Sequence, residues 1–334
     1  MRNGLRIEPA HLSRSVGHGD ALSLFKRFVE QIEVETTSFC NRTCSFCPNS
    51  FIDRRSERLA MPEPTWNAIV AGLSEVEFAG TFVWSRYSEP LSERRILERV
   101  RQVRAAAPDC RIAINTNGDY LDGQYLEELR ESGVDRVMVD LYIPDDSPPT
   151  IEFARAHHDK FGKRVGRAAL VVTERPELVG KIEDTMEIST RVRNAATIEQ
   201  INLTDRGGLL AIGKHGVRVS PCFLPYKQLV IDWDGSIVPC CQIRSDAGAH
   251  RTAVVGRIGE EVGLVDAYLL LAGWRASLTA YGPKSGPCST CSYGSYADDL
   301  LTRGLASLAA SPAVPGRRAV QSLLAPLLGR RRTW

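Results

Sequence analysis

The chain has 334 residues, 43% of them hydrophobic and 25% charged, with a formal net charge of +2. These values fit one large α/β domain with a smaller companion. They give no electrostatic case for a nucleic-acid partner, and no apolar run reaches the roughly 20 residues that a transmembrane helix needs. Met1-Arg2-Asn3-Gly4 opens onto a polar stretch rather than a signal peptide. Nine cysteines without such a signal point to a reducing cytoplasm, with thiols used as ligands instead of disulfides.

In chain order, residues 1–30 read as an N-terminal extension with a helix at Ala21–Glu30, too short for a separate peptide-recognition domain. From Gln31, β-rich runs alternate with amphipathic ones. The predicted strands are Gln31–Thr36, Thr81–Arg86, Arg111–Thr116, Val134–Leu141, Gly166–Val172 and Ile198–Leu203. The predicted helices are Glu63–Val76, Glu93–Ala106, Asp122–Glu131, Thr150–Phe161 and Pro176–Arg193. Such alternation makes βα units around a parallel sheet, and by itself it leaves a doubly wound sheet and a barrel both open.

The first strand leads into Cys40-Asn41-Arg42-Thr43-Cys44-Ser45-Phe46-Cys47. Three thiolates at this spacing suit one face of a cubane iron–sulfur cluster and leave one iron open to a chelating small molecule. Zinc sites favour paired C-x2-C knuckles with four ligands, and an odd number of cysteines makes no disulfide framework. Other strand ends carry polar segments. Arg86-Tyr87-Ser88-Glu89-Pro90-Leu91 follows the second strand, and Asn115-Thr116-Asn117-Gly118-Asp119 closes the third. Asp140-Leu141-Tyr142 closes the fourth, and Asn202-Leu203-Thr204-Asp205-Arg206-Gly207-Gly208 closes the sixth. Cys110 stands alone and reads as a small buried hydrophobe.

The cysteine loop and these segments resemble the radical S-adenosylmethionine (SAM) superfamily. The resemblance implies an α/β fold, a partial (βα)6 TIM-like barrel over residues 31–205, with chemistry at the C-terminal strand ends. It implies that Cys40, Cys44 and Cys47 hold a [4Fe–4S] cluster whose open iron takes the amino and carboxylate groups of SAM. Reduction would then release a 5′-deoxyadenosyl radical that abstracts a substrate hydrogen. Phe46 would lie near the adenine. Glu89 would meet the methionine ammonium in a charge-assisted contact, although Tyr87 and Ser88 stand where the family's G-G-E-P segment has glycines. Asn115 and Asn117 would lie near SAM. Asp140, where many relatives have serine, would meet the ribose or the substrate. Arg206 would face the cavity as a cation for a substrate carboxylate, phosphate or hydroxyl; a surface or helix-capping arginine fits the same Gly-rich stretch equally well.

A second cysteine set follows: Cys222, Cys240, Cys241, Cys288 and Cys291. Leu229–Val238 alternates about Asp234-Gly235 and reads as a β-hairpin. The hairpin brings Cys222 and Cys240 to one end of a ribbon, and Cys288-Ser289-Thr290-Cys291 adds a knuckle. On geometry alone, four such thiolates suit zinc or a second iron–sulfur cluster. The spacing from Cys222 through Gly235 to Cys240 resembles the SPASM/Twitch extension of the same superfamily. Because no cysteine follows Cys291, the resemblance is to the shorter Twitch form. It implies one auxiliary [4Fe–4S] cluster on Cys222, Cys240, Cys288 and Cys291, in a small α+β domain over residues 206–310. That cluster would have no open iron and would carry electrons. Cys241 is left over beside a ligand, as an inert neighbour, a substitute ligand, or a hydrogen-atom donor to a substrate radical. Helices at Asp266–Leu278 and Ser295–Leu308 would buttress this part, and residues 311–334 form a basic tail.

The expected function is a cytoplasmic radical SAM oxidoreductase or epimerase. It would tailor a small secondary metabolite (a sugar, aminocyclitol or nucleoside), with flavodoxin or ferredoxin as reductase. A peptide-modifying enzyme forming thioethers or epimers is a competing reading, and a non-catalytic metal-binding scaffold is another.

Overall fold

The computed structural model describes residues 8–144, 150–173, 178–194, 204–211 and 216–293. Helix α1 (His18–Phe28) leads into β1 (Gln31–Val34), and then α2 (Glu63–Glu75), β2 (Thr81–Trp84), α3 (Ile96–Ala106) and β3 (Arg111–Thr116) alternate. They are followed by α4 (Gly123–Ser132), β4 (Arg136–Tyr142) and α5 (Ile151–Val165). Three strands come next, β5 (Ala169–Thr173), β6 (Leu178–Ile182) and β7 (Glu187–Arg193). The C-terminal part holds α6 (Leu224–Lys227), β8 (Gln228–Ile231), β9 (Ser236–Val238), β10 (Gly256–Arg257), α7 (Leu264–Leu270) and α8 (Ala272–Thr279).

All these strands form one sheet in the order β10-β9-β8-β1-β2-β3-β4-β7-β6-β5. The middle, from β8 to β7, is parallel throughout. Both flanks are antiparallel, β9 and β10 on one side and β6 and β5 on the other. Among the described residues the sheet therefore has two free edges, and the barrel is partial.

Side chains alternate between the two faces of a strand. In β1, Ile32 and Val34 are fully buried in the main hydrophobic core. Phe82, Trp84, Ile112, Ile114, Val137 and Val139 continue that face, and Trp66 of α2 packs edge-on to Phe82 at 6.3 Å. The opposite face of β1 carries Glu33, and Glu35 just beyond the strand lies on the same side; both are buried. The inner face of the barrel is thus polar at the strand ends.

Local signals set the connections. Asp122 Oδ1 accepts the Tyr125 amide at 2.8 Å to cap α4, and Thr150 Oγ1 accepts the Phe153 amide at 3.2 Å to cap α5. Gly118 has φ +73°, and a Cβ there would meet Val139 Cγ1 at 2.6 Å. Both facts require glycine in that turn. Asp234-Gly235 does make the expected hairpin, with Gly235 at φ +82°.

Of the stretch expected as a helix over Pro176–Arg193, residues 178–193 hold the strands β6 and β7 instead, and β7 lies parallel to β4 along its whole length. Residues Gly166–Val172, expected as a strand, do contribute β5, but at the antiparallel edge of the sheet, preceded by the end of α5 and its Gly166 cap. The position beside β4 is taken by β7, whose Ile188, Thr190 and Val192 are buried. The sheet also runs across the boundary expected at residues 205–206, because β8 pairs with β1. Asp266–Leu278 forms two helices, α7 and α8, rather than one. The expected strand Ile198–Leu203, the expected helix Ser295–Leu308 and the basic tail lie outside the described residues. Among the described residues no helix is long and apolar enough to cross a membrane.

Candidate active site and cluster sites

The C-terminal ends of the parallel strands converge on the Cys40–Cys47 loop. Asn41 Nδ2 donates to Asp119 Oδ2 at 2.6 Å, and Arg42 grips both oxygens of Asp119 at 2.6 Å. Arg42 Nη1 reaches the Tyr142 carbonyl at 3.1 Å. Asn117 Nδ2 donates to Asn41 Oδ1 at 2.8 Å. The loop after β1 is thereby fastened to the ends of β3 and β4. The side chains of Cys40, Cys44 and Cys47 are partly exposed. Burial pushes the Cys40 thiol up to about 12, so a thiolate there calls for the positive charge of a bound metal. Phe46 is buried, with its ring 5.2 Å from that of Tyr142.

Glu89 is 2% exposed. Its Oε1 accepts the Leu91 amide at 3.0 Å and the Thr116 hydroxyl at 2.6 Å, and its Oε2 accepts the Asn117 amide at 2.8 Å. These bonds use three of the about four acceptor positions of a carboxylate. Burial outweighs them and raises its pKa to about 7. Asn115 Nδ2 donates to Ser85 Oγ at 2.9 Å. Asp140 is held by Arg191 through two bonds of 2.7 and 2.8 Å, with Arg193 at 3.6 Å. Asp140 therefore meets the barrel interior as half of an ion pair.

Arg206 sits at φ +52°. Its Nη1 donates to Gln242 Oε1 at 3.4 Å, and its Nε is buried without a hydrogen-bond partner among the described residues. The groups whose charges act on it include Tyr87, Cys47 and Cys241. Arg206 thus lies between the two cysteine sets. Tyr87 is buried, and its ring lies 4.6 Å from the Arg244 guanidinium and 5.8 Å from that of Arg206.

The second set divides by direction. Cys222, Cys240, Cys288 and Cys291 line one pocket together with Arg218, Leu224 and Tyr293. Cys241 does not line it. Burial pushes its thiol up to about 12, and the charges acting on it come from Glu33, Arg206 and Arg86 on the barrel side. Among the described residues no three ligand side chains close around a single metal-ion position. Four thiols on one pocket can hold a cubane cluster or a single zinc ion.

Several site residues were not singled out from sequence. Glu35 accepts the Tyr87 and Ser88 amides at 2.8 and 2.7 Å and the Arg54 guanidinium at 3.3 Å. Arg86 pairs with Asp232, both fully buried. Asn49 joins the Tyr87 carbonyl to Arg244. A signal existed in Ile32-Glu33-Val34-Glu35: buried parallel strands are usually apolar on both faces, so two acids on one face mark a polar interior.

The radical SAM superfamily model matches residues 34–172, and the model of SPASM, an iron–sulfur cluster-binding domain, matches residues 222–267. The chain is 26% identical over 236 residues to the S-adenosyl-L-methionine-dependent 2-deoxy-scyllo-inosamine dehydrogenase of Niallia circulans, covering 70% of this chain and 80% of that one. It is 30% identical over 165 residues to a GTP 3′,8-cyclase of Chlorobaculum tepidum, covering 48% of this chain and 46% of that one. The crystal structure of BtrN in complex with AdoMet and 2-DOIA superposes with a TM-score of 0.54 at 25% identity, covering 75% of this chain and 87% of that one.

Proposed function

The chain belongs to the radical SAM superfamily and carries a SPASM-type iron–sulfur domain, and on that premise we propose that it oxidises a small hydroxylated, amino-bearing metabolite, an aminocyclitol or sugar. The observation that carries this reading is the polar interior at the strand ends, where Glu33, Asn115, the Asp140–Arg191 pair and Arg206 offer acceptors and donors to hydroxyl and amino groups. The likeness to an aminocyclitol dehydrogenase over most of both chains supports it. When bound, the three-cysteine cluster and SAM supply a radical that takes a hydrogen atom from a substrate carbon, and the four-cysteine cluster supplies an acceptor for the electron that carbon then gives up.

The chain's own residues do the rest. The Asn41–Arg42–Asp119–Asn117 network fixes the three-cysteine loop. Glu89 holds the Asn117 segment and keeps a lone pair for the SAM ammonium, while Phe46 packs toward the adenine. Arg206, with its Nε unspent, binds a substrate hydroxyl and lowers the cost of removing its proton. A cytoplasmic flavodoxin or ferredoxin supplies the first electron. The test is anaerobic incubation with SAM, a reductant and aminocyclitols or sugars deuterated at carbon. Deuterium should appear in 5′-deoxyadenosine and a ketone should form. Label transfer from a peptide and from none of these compounds would sink the reading.

A second reading, epimerisation, is favoured by the direction of Cys241. Its thiol would give a hydrogen atom to the substrate radical, and the reductase would return one electron and solvent one proton to the sulfur. In D2O the epimer would then carry solvent deuterium at the inverted carbon. Cys241→Ala would abolish that product while 5′-deoxyadenosine continued to form.

A further inference from the structure

Two cations stand in and beside the wall of the four-cysteine pocket without carboxylate partners among the described residues. Arg218 is 3% exposed and Lys284 is 8% exposed. Arg218 lines the pocket. Its Nε donates to the Ser220 carbonyl at 3.1 Å, and its Nη2 to the Pro221 carbonyl at 2.7 Å. Its Nη1 donates to the carbonyls of Cys291 and Tyr293 at 3.1 and 2.7 Å. Lys284 Nζ donates to the Ala280 carbonyl, and its amide donates to the Arg218 carbonyl at 3.0 Å. Every one of these side-chain bonds ends on a neutral carbonyl, and neither residue has an ion pair with a carboxylate among the described residues.

A buried charge is costly unless it is paired. The groups of opposite charge that act on Lys284 are the sulfurs of Cys222 and Cys288, and both cations act on Cys288; the one carboxylate acting on the same knuckle among the described residues, Asp205, bears on Cys291 and is bonded by Thr290. We propose that Lys284 and Arg218 are the counter-charge of the auxiliary cluster, and that they raise its reduction potential so that it accepts an electron.

A four-thiolate cubane is an anion that gains one further negative charge on reduction. A fixed positive charge in a low-dielectric wall stabilises the reduced form more than the oxidised one, and net charge around the sulfurs is one of the terms that set such potentials. The electron balance is simple. One electron would pass from the substrate carbon radical to the cluster held by Cys222, Cys240, Cys288 and Cys291, and the hydroxyl proton would leave to solvent as the carbonyl forms. The two cations differ in what else they do. Arg218 also ties together the chain segments of Cys222 and Cys291, whereas Lys284 makes one side-chain bond and is the cleaner probe.

The inference builds on the oxidative reading above, but its test needs no substrate. The full chain carrying both clusters is titrated against redox potential by electron paramagnetic resonance, with SAM added to mark the signal of the three-cysteine cluster. Lys284→Met should shift the midpoint of the SAM-insensitive signal to a lower potential, and Lys284→Arg should return it to the wild-type value. An unchanged midpoint in Lys284→Met at full iron content overturns the proposal. If Lys284→Met fails to load iron, Lys284→Gln, which keeps a donor for the Ala280 carbonyl, is judged by the same criterion. If the oxidative reading alone is wrong, the shift persists while no ketone forms during turnover.

Discussion

Arg54 Nε lies 2.9 Å from Asp246 Oδ2, a contact between residues 192 positions apart. It joins the loop that follows the third cysteine of the first set to the loop that follows Cys240 and Cys241. Arg54 also reaches Glu35 at 3.3 Å. Arg244 holds Asp246 at 2.6 and 2.7 Å and Asn49 at 2.9 Å. One buried network therefore sets the two cysteine loops against each other. Burial alone would raise the Asp246 pKa, but the Arg244 bonds and the Arg54 charge hold it well below the ordinary carboxylate range.

Removing that carboxylate leaves two guanidinium groups buried without it. Asp246→Ala should lose about 3–5 kcal/mol, the usual cost of breaking a buried pair from one side. Urea unfolding of the apoprotein measures this without help from cluster binding. A loss below about 1 kcal/mol would place the pair among weak surface bridges and contradict its role as the joint.

Glu89 gives the apoprotein a pH signature. Its folded pKa is raised, chiefly by burial, from 4.5 to about 7. The folded state then holds a proton that the unfolded state has released, so its contribution is full below about 4.5 and is lost as the pH rises through about 7. The difference corresponds to at most about 3 kcal/mol. Wild type should lose stability relative to Glu89→Gln as pH is raised across that window. Parallel curves for the two proteins would show that Glu89 is ionised throughout.

Arg206→Met tests the substrate cation. It should lower kcat/KM about tenfold or more, the scale of one charge-assisted hydrogen bond, with KM carrying much of the loss. Iron content and the spectral response to SAM should remain as in wild type. Unchanged kinetics would return Arg206 to a structural role beside Gln242.

Much of this site is legible in the sequence because it is local. Cys40, Cys44 and Cys47 occupy one loop, and Cys288 and Cys291 one knuckle, so spacing alone brings them together. The ion pairs are not local. Asp140 meets Arg191 only because β7 lies beside β4, and Pro176–Arg193 is rich in the charged residues that favour helices. Yet Ile188-Ser189-Thr190-Arg191-Val192-Arg193 alternates with period two, as the burial of Ile188, Thr190 and Val192 records. Pairing on both sides of β7 overrode composition. In the same way, the hairpin pattern of Leu229–Val238 does not show that β8 also pairs with β1 on its other side.

The most direct measurement is iron and sulfide content after anaerobic reconstitution, on wild type and on the Cys40→Ala/Cys44→Ala/Cys47→Ala variant. Two cysteine sets that each hold a four-iron cluster predict about eight irons in wild type and about four in the variant. A variant that keeps no iron would mean that the pocket of Cys222, Cys240, Cys288 and Cys291 holds no cluster, and electron transfer through it would be excluded.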